Sequence, residues 1–211
     1  MLLKYIFINL CTIVTFFYFA SPYLWGGQKL RKKNLIFRNI FIGIILSGLT
    51  FILLKFPYIT NDNISIQIKL ISLLIATVFF SSTTLITICS LNIFMLYFIN
   101  GYNDIFIADL ILQVSILCFG LFMILQNWSE KKRIIALIPF AIFIKLTAFY
   151  VIDLWTYYPI GEVDEGRLIR TVYYWLVLFI PALFFSLHIA YLTRNTESES
   201  MKIVGKQDLK S

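Results

Sequence analysis

Charge is scarce in this chain. Asp, Glu, Lys and Arg make up 14% of its 211 residues, against about 25% in an ordinary soluble domain. With 60% hydrophobic residues and a mean hydropathy of +0.85, the shortage excludes a soluble globular domain, a disordered tail and a secreted disulfide scaffold. Histidine occurs once, as His188 near the end of the last apolar run, and there it reads as an interfacial or packing residue. Cys11, Cys89 and Cys118 lie inside apolar runs with no CxxC partner, so they read as small buried hydrophobes. No nucleophile elbow, HExxH, P-loop or GxGxxG is present. The expectation is no catalytic residue, no metal, no cofactor and no enzyme activity.

What is present is apolar length. A helix needs ~20 apolar residues to cross a bilayer, and the chain has room for about six or seven membrane segments. The expected fold is all-α: a polytopic integral membrane helix bundle. Its spans fall at 5–25, 35–54, 66–80, 84–100, 105–126, 134–152 and 168–192, with a short polar tail at 193–211. The first run follows only Lys4 and ends in Tyr18-Phe19-Ala20-Ser21-Pro22 without a small residue at the −3 position. It reads as an uncleaved helix. Lys55–Ser65, with Pro57 and Asn61-Asp62-Asn63, and Gly101-Tyr102-Asn103-Asp104 have turn chemistry. Pro139 and Pro181 fall inside spans and predict kinks.

Ile66–Asn100 is too long for one simple span and too short for two full ones. Its polar centre, Ser81-Ser82-Thr83-Thr84, predicts a break into two segments of ~15 residues, each ~22 Å long and short of the ~30 Å hydrocarbon core. That is a short helical hairpin.

Net charge is +7 and the pI about 9.3. The basic residues cluster beside apolar runs, which points to topology signals and anionic lipid rather than nucleic acid. Lys29, Arg31, Lys32, Lys33 and Arg38, then Lys131–Arg133, then Arg194, Lys202, Lys206 and Lys210 mark cytoplasmic segments. The 153–167 loop, with Glu162, Asp164 and Glu165, fits the outside. With the amino terminus outside and the carboxyl terminus cytoplasmic, these assignments agree only if 66–100 returns to the side it left. The charge pattern therefore predicts the hairpin independently. Trp25, Trp128 and Trp155 fall at span ends, with Trp175 deeper.

The polar residues inside spans are the candidates for function. Lys69, Asp109, Gln113 and Lys145 are costly in lipid and must face the bundle or an aqueous cavity. Asp109 and Gln113 are four apart, on one helix face. All three charges fall in the outer half, near the aromatic residues Phe149, Tyr150, Trp155, Tyr157 and Tyr158. Lys69, Asp109, Gln113, Lys145 and Trp155 are the expected ligand-binding set, for a small extracellular or membrane ligand. Helix packing or snorkelling is the competing reading of the charges. Asn39, Asn92 and Gln126 are expected to hydrogen-bond between helices.

The order of features resembles a known family. A helix, a basic loop, a second helix ending in Phe56-Pro57, a short helix pair, Gly101 and three more spans look like the LytS-like multi-transmembrane receptor domain. That domain precedes histidine kinase or GGDEF output domains in Gram-positive bacteria. The resemblance covers residues 5–195. Gln67 and Lys69 stand where the family has an acidic residue followed two later by arginine, and Ser81–Thr84 replaces its glycine- and proline-rich break. Glu199-Ser200-Met201-Lys202-Ile203-Val204-Gly205 resembles the run-up to the phosphoacceptor helix of sporulation-type sensor kinases. The resemblance implies a multi-pass protein of a bacterial cell membrane, a sensory input domain without its output domain. Its implied partners are the lipid bilayer, the ligand, and a second copy or a separate signalling protein. A small transporter or transport-accessory subunit is the alternative, with a polar site expected near the midplane.

Overall fold

The computed structural model describes residues 2–25, 34–55, 58–59, 65–66, 68–101, 104–157 and 165–208. They form seven helices: α1 (Leu2–Leu24), α2 (Leu35–Leu54), α3 (Ile71–Phe79), α4 (Ser82–Asn100), α5 (Asp104–Leu125), α6 (Glu130–Tyr157) and α7 (Glu165–Asp208). Between α2 and α3, β1 (Tyr58–Ile59) and β2 (Ser65–Ile66) make a minimal antiparallel pair, with Tyr58 opposite Ile66. Five of the helices are long and apolar enough to cross a membrane. Their outward faces carry large apolar side chains, among them Phe7, Phe19, Phe98, Leu125 and Phe184. Such a surface is a liability in water and at home in hydrocarbon. The protein is a helical membrane bundle.

Side-chain contacts define two ends. At one, Trp25 stacks on Phe80, with ring centroids 4.8 Å apart, and donates from Nε1 to Thr193 Oγ1 at 3.2 Å. Thr84 Oγ1 donates to the Asn39 carbonyl at 3.1 Å there. At the other end Leu54, Leu96 and Phe106 pack together. The starts of α2, α4 and α6 therefore share the Trp25 end. The helices α1, α3, α5 and α7 run toward it, which puts the start of α1 and the end of α7 at opposite ends.

The predicted hairpin is α3 with α4, but its halves are unequal: only α3 is short, while α4 has 19 residues and is long and apolar enough to cross a membrane. At nine residues α3 is about 14 Å long, too short to cross alone. Every residue from Ile71 to Val78 is buried, so α3 is the centre of the bundle. The run Ile71-Ser72-Leu73-Leu74-Ile75-Ala76-Thr77-Val78, with no charged residue, matches that position, because a helix surrounded on all sides has no need of a solvated polar face.

Irregular backbone survives at membrane depth only where protein partners satisfy it. Here Phe80 N donates to Ala76 O at 3.0 Å. Ser81, extended at φ −86° and ψ 167°, caps α4 through Thr84 N. The break thus falls at Phe80–Ser81, at the start of the polar run rather than its centre, because Ser81 serves as the N-cap.

Glycine sets two close approaches. A Cβ at Gly43 would lie 2.7 Å from Thr87 Cβ, and one at Gly120 would lie 2.8 Å from Leu85 Cδ2 and 2.9 Å from Thr77 Cγ2. These are the small-residue contacts through which helices in lipid gain packing.

Several expectations change. The polar tail is also helical: α7 continues unbroken to Asp208, because 193–208 contains neither Pro nor a helix-stopping run. Residues 209–211 lie outside the described set. Helix α6 extends beyond 134–152 in both directions. Cys89 is buried, but Cys11 and Cys118 are exposed, since each falls on the outward face of its helix. Gln126 is exposed and sits in the turn after α5 rather than between helices.

Candidate functional site

Lys69, Asp109 and Lys145 meet in the bundle. Lys69 belongs to the turn entering α3, where Ile71 N bonds Ile68 O at 3.2 Å. Ser72 Oγ donates to the Lys69 carbonyl at 3.4 Å and also pairs with Thr50 Oγ1 of α2. The lysine's backbone is thereby fixed from two sides. Its Nζ donates to Asp109 Oδ2. Lys145 Nζ of α6 lies 3.7 Å from Asp109 Oδ1. Lys69 and Asp109 are 6% and 4% exposed.

One carboxylate thus holds two ammonium groups contributed by two other elements. Asp109 is five residues into α5, about 8 Å below that end of the bundle. An uncompensated charge in lipid costs about 2.5–3.5 kcal/mol on insertion scales. The arrangement offsets that cost with charge-assisted bonds.

Gln113 lies one turn deeper on the same face of α5. It is buried, and its Oε1 has no hydrogen-bond partner among the described residues. Its backbone carbonyl accepts from Cys89 Sγ of α4 at 3.8 Å. Asn92, one turn beyond Cys89, is also buried with Oδ1 unpartnered among the described residues. The α4–α5 interface therefore carries two acceptors open to a donor, one of them a turn below the ion cluster. Trp155 lies on the last turns of α6, but its side chain, like those of Phe149 and Tyr157, lies outside the described residues. Tyr158 is outside them altogether.

A second polar cluster, at the Trp25 end, has no counterpart in the sequence reading. Arg133 Nε donates to Trp128 O at 2.9 Å, and Nη1 to Thr77 O and Val78 O at 3.3 and 3.4 Å. It thereby caps the last carbonyls of α3, where a cation also meets the negative end of the helix dipole. Arg194 Nη1 pairs with Glu130 Oε1 at 2.5 Å, and its guanidinium sits 5.9 Å from both the Trp25 and Phe79 ring centres. Charge patterning reads Arg133 and Arg194 only as topology markers. Their partners are 56 and 64 residues distant, which no local spacing can reveal.

No family model matches the chain, and no curated protein or solved structure matches it either. Among the described residues no group of three His, Cys, Asp or Glu is placed to hold a metal ion.

Proposed function

We propose that this protein is a membrane-embedded sensory or regulatory protein. A small ligand acts at the Lys69–Asp109–Lys145 cluster, and α7 carries the response out of the bundle. The observation that supports this most is the placement of α3. It starts two residues after Lys69 and ends under Arg133, with Phe79 and Phe80 against Trp25 and Arg194. A change in the ion cluster displaces a short, fully enclosed helix whose far end touches the anchor of α7. Packed helices shift as rigid bodies between discrete arrangements. Beyond Arg194, α7 continues to Asp208, about 21 Å of helix.

In this reading the Lys69 end faces outside and the Trp25 end the cytoplasm. Arg38, Lys131–Arg133 and Arg194 all belong to the Trp25 end, which accords with the positive-inside rule. The amino terminus is then external, α7 leaves on the cytoplasmic side, and the output is exerted on a partner rather than by catalysis within this chain. The position of the cluster, about one turn and a half from an end, favours sensing over transport, whose sites lie at the midplane.

The test places spin labels at Leu125 and Glu199, both exposed, on a cysteine-free background in nanodiscs. Asp109→Asn is expected to shift or broaden the Leu125–Glu199 distance distribution, and adding Lys69→Met to move it back. An unchanged distribution in a variant of lowered stability makes the cluster purely structural. Asp109-dependent solute flux in proteoliposomes, with α7 unmoved, establishes the transporter instead.

A further inference from the structure

We propose that the groove between α1 and α2 binds one anionic phospholipid, with its acyl chains along α1 and its phosphate at Arg38. The groove holds about 800 Å³ and is walled by Phe7, Cys11, Thr15 and Phe19 of α1 and by Phe41 and Ile45 of α2. It reaches Tyr23, so it runs about 24 Å along α1. That exceeds the ~15 Å hydrocarbon depth of one leaflet. Tyr23 and Phe41 close its end, with ring centroids 6.4 Å apart.

Charge selects the occupant. On α2 the groove residues Phe41, Ile45 and Ile52 recur at helical spacing, and Arg38 continues that row one turn beyond Phe41. Its side chain is half-buried, and its Nε has no hydrogen-bond partner among the described residues, so a shift of the guanidinium toward a phosphate breaks no Nε bond to those residues. The connector between the two groove helices carries Lys29, Arg31, Lys32 and Lys33. No Asp or Glu occurs before Asp62.

The groove is thus apolar along its length, and the α2 row that walls it ends in a cation, Arg38. That is the pattern expected of a site for a lipid with two chains and an anionic head. The site is separate from the ion cluster and does not depend on which end faces the cytoplasm.

Native mass spectrometry of the full chain, titrated with phosphatidylglycerol or phosphatidylcholine, tests this. Phosphatidylglycerol should bind preferentially, and Arg38→Gln should weaken it about fivefold, the share of one basic residue near a lipid surface. Arg38→Lys should retain most of the preference, which separates lost charge from a folding defect. Thr15→Trp, filling the groove, should abolish the tight adduct while leaving the thermal transition in place.

Equal binding of the two lipids overturns the proposal, as does a phosphatidylglycerol adduct unchanged by both Arg38→Gln and Thr15→Trp. With Cys118→Ser leaving Cys11 as the exposed cysteine, an oxidative dimer through Cys11 in membranes also overturns it. A second copy would then occupy the groove.

Discussion

Replacing Asp109 by Asn should cost the bundle about 2–3 kcal/mol of stability. The substitution keeps the volume and a carbonyl acceptor but removes the negative charge that Lys69 and Lys145 share among the described residues. At an effective dielectric of 20, two unit charges about 4 Å apart attract by ~4 kcal/mol, the regime of the Lys145–Asp109 contact at 3.7 Å. Breaking a buried pair by removing one partner costs about 3–5 kcal/mol. The lower figure applies here, because the Lys145 side chain is 15% exposed and Asn can still accept one ammonium hydrogen bond.

The assay is reversible unfolding of the detergent-solubilised protein by SDS. Trp175, buried and stacked on Phe179 at 4.3 Å, gives a fluorescence signal. Glu199→Gln, at an exposed position, is the control and should stay within about 0.5 kcal/mol of the parent. Adding Lys69→Met to Asp109→Asn removes the orphaned ammonium and should recover about 1 kcal/mol or more. Lys145→Met should recover less, because its contact is longer and more exposed. High salt should leave the loss largely intact, since buried pairs are weakly screened. If Asp109→Asn behaves like the control and neither lysine change couples to it, the three residues do not form an energetic unit, and the proposed signalling route loses its starting point.

Gly43→Ala should destabilise by about 1–2 kcal/mol through overpacking against Thr87. Gly48→Ala, with nothing within 4 Å of the added methyl, should be neutral or stabilise by up to about 1 kcal/mol. The same unfolding titration reads both, and equal effects would refute the close α2–α4 approach. Arg133→Met removes the donors to Thr77 and Val78 and should speed amide hydrogen exchange in α3 and at Phe80–Ser81 more than in α1; uniform exchange would refute the capping role. Reporter fusions at Asn127 and Ser211 should read cytoplasmic and one at Glu162 external; a cytoplasmic signal at Glu162 would reverse the proposed orientation.

Class and architecture were legible in the chain because they follow from one-dimensional quantities. Runs such as Leu35–Leu54 state their own length and hydropathy. The placement of the basic clusters along the sequence predicts an even number of passes through 66–100, and Ser81–Thr84 marks where the run folds back. The polar set was legible in part for a related reason. A charge amid apolar residues must find a partner, so Lys69, Asp109 and Lys145 could be expected to meet, and they do.

Which lysine is buried against which carboxylate oxygen required the packing of α3, α5 and α6. So did the central position of α3, whose nine mostly apolar residues would read equally well as a truncated outer helix. Arg133 and Arg194 show the limit best: near the membrane surface a cation looks the same whether it meets lipid phosphate or a helix end. Only the three-dimensional path of the chain brings Thr77 and Val78 beneath one and Trp25, Phe79 and Glu130 around the other. Hydrophobicity is additive along the sequence, whereas hydrogen bonds and ion pairs depend on direction and on distances of a few ångströms between residues far apart in it.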